Sequence, residues 1–128
     1  ERMDALVAFC QHLKPLAIRV GLKDVGRDMT LVHRLRGVPV DFLRLSPELS
    51  TQAAGGERAA EVLSALIRRA HQGGMSVIAS GIDSRDQIQH LQSAGVDYAE
   101  SQSLGAPTAQ FDFDFTRWMG EQRQATGV

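Results

Sequence analysis

The sequence holds 128 residues, with 14 Lys or Arg against 15 Asp or Glu and a formal net charge of −1, a size that fits one compact domain with a modest core. So even a balance provides no overall field to draw nucleic acid or an anionic membrane, and a polyanionic ligand needs a local site. No apolar run approaches the ~20 residues that cross a bilayer, no signal-peptide pattern opens the chain, and the single cysteine, Cys10, excludes an internal disulfide, a combination that suits the cytoplasm.

Glu1 already falls inside a helical pattern and is not a methionine, as expected of a piece of a longer protein. Met3, Leu6, Val7, Cys10 and Leu13 recur at helical spacing until Pro15 stops them. Cys10 sits in that stripe and reads as a small buried hydrophobe, not a reactive thiol. The β-branched run AIRVGL at 17–22 predicts a buried strand that ends at Lys23 and Asp24. Met29, Leu31, Val32 and Leu35 suggest a short helix closed by Gly37, and VDFLRL at 40–45 a second strand leading into a turn at Ser46-Pro47.

Gly55 and Gly56 punctuate a loop before the strongest helical pattern, which places Val62, Leu63, Leu66, Ile67 and Ala70 on one face and stops at Gly73-Gly74. MSVIAS at 75–80 predicts a third buried strand. Ser84 and Gln87 then form a capping-box pattern ahead of a helix carrying Ile88 and Leu91 and ending at Gly95. A more polar fourth strand is predicted from about Asp97 to Ser103. In the tail, Phe111, Phe113 and Phe115 alternate with Asp112 and Asp114, placing three rings on one face of an extended segment before a short helix around Trp118. No repeat of fixed length is visible.

Strand and helix alternate four times, which argues for an α/β fold of parallel βαβ units, either a small doubly wound sheet or part of a TIM-like (βα)8 barrel. Four units are about half of a barrel, whose usual size is ~250 residues. Half a barrel exposes two strand edges and an open core, so this reading predicts association with another half or with a second copy of the chain. In both architectures ligands gather beyond the carboxyl ends of the strands. There the sequence delivers Lys23 and Asp24, then Arg44 and Ser46, then Ser80 and Asp83, then Glu100 and Gln102, a predicted ring of eight polar residues around one mouth.

Asp24, Asp83 and Glu100 offer carboxylates for a divalent cation, but Lys23 and Arg44 set two fixed positive charges among them. The plainer alternative is that Lys23 with Asp24 and Arg44 with Asp83 make ordinary ion pairs at the strand ends. His12, His33, His71 and His90 lack ligand spacing with one another or with the cysteine, no glycine-rich phosphate loop occurs, and His71 reads as a packing or capping residue at a helix end.

Taken in order, VGLKDVG, VDFLRLS, HQGGMSVIASGID and AGVDYAESQSLGAP resemble the segments LDDFG, VDxLKID, GxxVVAEGVE and GxDYxQGYxxxxP. These belong to the second half of the bacterial EAL domain, the (βα)8 phosphodiesterase of cyclic di-GMP signalling. Residues 3–115 follow that register. The resemblance implies a partial EAL-type barrel over residues 1–116 and a C-terminal helix and tail over 117–128. The strands bearing the EAL signature itself correspond to sequence ahead of Glu1.

Position by position, Lys23 stands where the family has the first of two metal-binding aspartates, and Asp24 keeps the second. Arg44 replaces a lysine associated with the catalytic water and phosphate, and Ser46 the acid that follows it. Ser80 replaces one glutamate of the EGVE segment, while Asp83 shortens the other. Glu100 replaces the glutamine and Gln102 the tyrosine of the QGY segment. Two-metal hydrolysis of a phosphodiester needs carboxylates that flank both cations and generate a hydroxide. The resemblance therefore implies a degenerate EAL domain without catalytic residues or the family's magnesium site.

Such a domain acts as a cyclic di-GMP receptor through Lys23, Asp24, Arg44, Ser80, Asp83, Glu100 and Gln102, or as a protein-interaction scaffold that has lost the nucleotide. A third reading keeps residual phosphodiesterase activity in the full-length protein. The ending AQFDFDF resembles the end of FimX-type receptor domains, which implies a PilZ-type or other signalling partner and a role in type IV pili, motility or biofilm. The same alternation also suits a strand that seals the barrel with its three phenylalanines.

Overall fold

A computed structural model describes residues 2–26, 29–52 and 55–101. Helix α1 (Arg2–Leu13) runs into a short 3-10 turn (Lys14–Leu16), followed by β1 (Gly21–Val25), α2 (Met29–Arg34), β2 (Phe42–Leu45) and α3 (Pro47–Gln52). The long helix α4 (Glu57–Gln72), β3 (Ser76–Ile82), α5 (Arg85–Ala94) and β4 (Tyr98–Ser101) complete the order. The four strands form one parallel sheet in the order β1-β2-β3-β4. Each strand therefore adds beside its predecessor in the same sense. That progression is the one a (βα)8 barrel requires, and it lacks the reversal of order that defines a doubly wound sheet. Among the described residues no helix is long and apolar enough to cross a membrane.

Burial assigns the two faces of the sheet. Leu43 and Leu45 of β2 and Val77, Ala79 and Ile82 of β3 are at most 2% exposed and join Leu63, Leu66, Ile67 and Leu91 from the helices in one core. The alternate residues Arg44, Tyr98 and Glu100 are exposed on the opposite face, the one a closed barrel turns inward. α5 begins at the predicted capping box: Ser84 Oγ accepts from the Gln87 amide, and the Gln87 side chain accepts from the Ser84 amide.

The predicted boundaries shift where turn chemistry intervenes. Pro15 does not simply end α1; the chain continues into the 3-10 turn and closes at Ala17 in the left-handed conformation, φ 55°. Residues 17–20 are consumed by this turn and its exit, so β1 starts at Gly21 and contains Lys23 and Asp24 instead of ending before them. β3 likewise runs on to Ile82 and encloses Ser80. The segment after Ser46, read from sequence as a turn and loop, is helix α3. Its proline occupies the first helical position and Ser46 Oγ accepts the Leu49 amide at 3.2 Å, an N-cap whose signal is the Ser-Pro-Glu string itself. The end of the fourth predicted strand, Gln102, the Phe-Asp alternation, the Trp118 helix and the 116/117 boundary lie outside the described residues.

Two carboxylates fix the amino-terminal ends of the strands. Asp41, just ahead of β2, accepts the Val20 amide at 2.8 Å, and Asp97, just ahead of β4, accepts the Val77 amide at 2.7 Å. The reverse bonds run from the Asp41 amide to Val20 O and from the Asp97 amide to Val77 O. Each aspartate thus grips a neighbouring strand at the same relative position. His71 at the end of α4 lies 2.8 Å from Asp97 through Nε2, so this exposed histidine ties the helix to the base of β4 and does not pack in the core. Burial acts to raise the Asp97 carboxyl, but the Val77 amide, the His71 hydrogen bond and the His71 charge outweigh it and hold the group below the ordinary carboxylate range.

At the other end of the strands the ladder slips twice in the same way. Leu22 pairs with Leu43 and Val25 with Leu45, so Lys23 and Asp24 together oppose Arg44. Ala79 pairs with Ala99 and Ile82 with Ser101, so Ser80 and Gly81 together oppose Glu100. These are β-bulges, and the second residue of each is left-handed: Asp24 at φ 58° and Gly81 at φ 70°. A Cβ at Gly81 would also fall 2.6 Å from Cβ of Pro47, so only glycine fits between β3 and the start of α3.

Gly81→Ala is accordingly expected to destabilise the fold by about 2 to 4 kcal/mol, from left-handed strain and overpacking together, read as a lower urea midpoint. A second expectation concerns acid. The folded state favours the Asp97 carboxylate, so its contribution is complete above the unfolded pKa of about 3.9 and fades as pH falls below it. Asp97→Asn should be less stable than wild type at pH 7, with the gap narrowing as pH falls through the acid range; a gap independent of pH in paired urea titrations would contradict this role.

Candidate functional site

The bulges decide which side chains reach the mouth. Lys23 and Asp24 on β1, Arg44 on β2, Asp83 just beyond β3 and Glu100 on β4 are all exposed at the carboxyl ends of the strands. The left-handed turn at Asp24 is of the kind that short polar side chains tolerate best and that concentrates at functional sites. Arg44 Nη2 meets Glu100 Oε2 at 2.5 Å, with the two side chains 47% and 51% exposed. This bond crosses β3, because Arg44 lies on β2 and Glu100 on β4. On the strand in between, half-buried Ile78 pairs with Arg44, while the bulge opposite Glu100 raises little: Gly81 has no side chain, and Ser80 turns its hydroxyl to Leu45 O at 2.8 Å.

The predicted ring of eight is therefore smaller. Ser80 is 5% exposed and spends its hydroxyl on the β2 backbone; Ser46 is 1% exposed and caps α3. Both hydroxyls are thus spent on backbone at the strand ends. The expected pair of Arg44 with Asp83 is replaced by Arg44 with Glu100, since Asp83 sits past the β3 bulge at the entry to α5, where its amide donates to Gln87 Oε1 at 2.9 Å. Among the described residues no ion pair joins Lys23 to Asp24. Gln102 lies outside the described residues.

Chemically, what remains is two cations among three carboxylates. Arg44 and Lys23 suit phosphate oxygens, while Asp24, Asp83 and Glu100 suit N–H donors of a base. Among the described residues no three His, Cys, Asp or Glu side chains converge as metal ligands. The donor set itself fits a divalent cation poorly. Glu100 is committed to a guanidinium, and the neighbouring residue on β1, Lys23, adds a positive charge to the same strand end as Asp24.

Sequence reasoning missed two things here. The bulges leave no signature beyond a glycine in one of them. A cleft of about 620 Å³ also opens between the turn after α2 and α4, with Arg36, Arg68 and Arg69 among its lining beside Leu43 and Leu66. It lies toward the amino-terminal ends of the strands, the face of a barrel that supports stability and not chemistry.

Residues 1–100 match the family model described as EAL domain. Among curated relatives, the cyclic di-GMP phosphodiesterase PdeF of Escherichia coli is 22% identical over 102 residues, spanning 80% of this chain and 14% of PdeF. Among solved structures, the Xanthomonas citri FimX EAL domain in complex with c-diGMP superposes with a TM-score of 0.73 at 21% identity, covering 84% of this chain and 44% of that one. The FimX EAL domain from Pseudomonas aeruginosa bound to c-di-GMP gives 0.74 at 22% identity, covering 87% and 46%. The chain thus spans less than half the length of those two solved domains and a small part of PdeF. With its parallel strands in barrel order, bulged carboxyl ends and a family match running from residue 1 to residue 100, the chain belongs to the EAL domain family.

Proposed function

We propose that this domain recognises cyclic di-GMP without hydrolysing it and passes the binding event to another protein. The observation that carries the reading is the charge pattern at the mouth. Where the resemblance implies an acid pair for metal, β1 presents Lys23 beside Asp24, and the guanidinium of Arg44 is hydrogen-bonded to Glu100. A phosphodiesterase of this family generates its hydroxide on two cations held by carboxylates. The side chains present here do not suit that pair of ions, and no hydrolytic step is derived from them. Ser80 adds to this, since its hydroxyl is buried and satisfied and has no carboxylate's capacity to accept a proton from water.

Recognition makes smaller demands. Lys23 and Arg44 can each hold a phosphate oxygen, and the exposed carboxylates of Asp24 and Asp83 can accept from guanine N–H groups. Two solved domains of the same fold, both FimX, carry c-di-GMP, which supports the same nucleotide as the ligand of this domain. On this reading the domain works in the cytoplasm and hands its signal to a PilZ-type or other signalling protein in the control of type IV pili, motility or biofilm. A scaffold that has lost the nucleotide is the second reading. It is favoured by one observation, that Arg44 is already taken by Glu100.

The native protein carrying this sequence is expected to release no linear product from cyclic di-GMP with magnesium or manganese, while calorimetry detects binding. Turnover would overturn the loss of hydrolysis. Absence of heat at high micromolar nucleotide would replace the receptor with the scaffold. Lys23→Asp combined with Ser80→Glu should not restore turnover, because Glu100 still engages Arg44 and the register of both bulges is unchanged.

A further inference from the structure

We propose that Glu100 is a built-in counter-anion that competes with a ligand's phosphate for Arg44, so that the affinity of the mouth for a phosphate-bearing ligand is set by that internal bond. The inference rests on the reading of the mouth as a cyclic dinucleotide site and adds a residue that opposes binding.

Three observations carry it. First, the Arg44 guanidinium and the Glu100 carboxylate meet at 2.5 Å while each side chain is about half exposed, so the bond is accessible to an incoming anion and is not locked in the core. Second, the path between them is built into the sheet. Glu100 opposes the Ser80-Gly81 bulge, and over that bulge no side chain rises, since Ser80 is turned onto Leu45 O and glycine has none. Third, the mouth as a whole does not favour an anion. Lys23 and Arg44 face Asp24, Asp83 and Glu100, which leaves a net −1 among the exposed groups at the strand ends. A cyclic dinucleotide brings two negative phosphodiesters to that surface. Its phosphate reaches Arg44 only by displacing Glu100, which then remains close by as an unpaired carboxylate.

Removing the Glu100 charge therefore frees the guanidinium and lifts a repulsion at once. Exposed pairs are weak, so the displacement is within reach of a ligand and the effect is moderate. Glu100→Gln keeps the size and one acceptor oxygen while removing the charge.

The test is a double-mutant cycle on the native protein carrying this sequence, titrated with cyclic di-GMP by calorimetry at near-physiological salt. Glu100→Gln is expected to bind roughly 3- to 10-fold more tightly than wild type, and Arg44→Gln more weakly. In the Arg44→Gln background the gain from Glu100→Gln should fall below about twofold, because the competed group is gone. The melting temperature of Glu100→Gln should stay within about 2 °C of wild type, which separates competition from a structural role. Equal gains in both backgrounds would overturn the proposal by showing bulk charge at work and not competition for Arg44. So would a Glu100→Gln protein that binds no tighter than wild type, with the nucleotide site itself left standing. If none of the four proteins binds, the nucleotide reading fails and this inference fails with it.

Discussion

A carboxylate that accepts an amide at the amino-terminal end of a neighbouring strand is the constraint on which this sheet depends. Parallel strands are joined by long crossovers and have no tight turn to set their register, so something at the strand ends must do it. Asp41 and Asp97 do so here, each holding a valine amide of the adjacent strand while its own amide returns a bond to that valine's carbonyl. Once Val20 is fixed against Asp41, Gly21 must pair with Phe42; once Val77 is fixed against Asp97, Ile78 must pair with Tyr98. A slip of one residue would turn Leu43 or Val77 out of the core and Arg44 into it.

Seen from these anchors, β1 with β2 and β3 with β4 are two copies of one device. Two paired residues follow each anchor, then a bulge sets two residues against one, then a buried aliphatic resumes the ladder at Val25 or Ile82. The residue opposite the bulge is Arg44 in one copy and Glu100 in the other. These two equivalent positions, opposite in charge, are bonded to each other across β3. The ion pair that dominates the mouth is thus a contact between corresponding points of two structural units. It depends on the register that the aspartates set some three residues earlier along each strand.

Much of this frame is legible in the sequence, and the reasons differ from element to element. The α4 stripe and the Ser84-Gln87 capping box can be read directly, because helical spacing and reciprocal capping are local properties. The position of β1 is not, since its start depends on how the chain leaves α1, through a 3-10 turn and a left-handed alanine that Pro15 alone does not specify. At the site, Lys23, Asp24, Arg44, Asp83 and Glu100 emerge where strand ends imply, exposed and on one side of the fold. Ser46 and Ser80 do not. A hydroxyl at a strand end satisfies buried backbone as readily as it meets a ligand, and only the partners Leu49 N and Leu45 O distinguish the two. The choice of Glu100 over Asp83 as the partner of Arg44 could not be read either, because it follows from the one-residue slip at Ser80-Gly81.

That slip also separates what holds the framework together from the side chains the framework displays. The glycines at the two turns, Gly26 against Leu49 and Gly81 against Pro47, are held by backbone conformation and close packing, so the framework tolerates nothing larger there. The side chains at Lys23, Arg44 and Glu100 project from the same framework into open space and bear no packing load. Charge at those positions is therefore free to change sign. An ammonium on β1 and a guanidinium bonded to a carboxylate across the sheet offset two of the three exposed acids at the mouth. What reaches the mouth from solution must therefore compete with a bond that is already made.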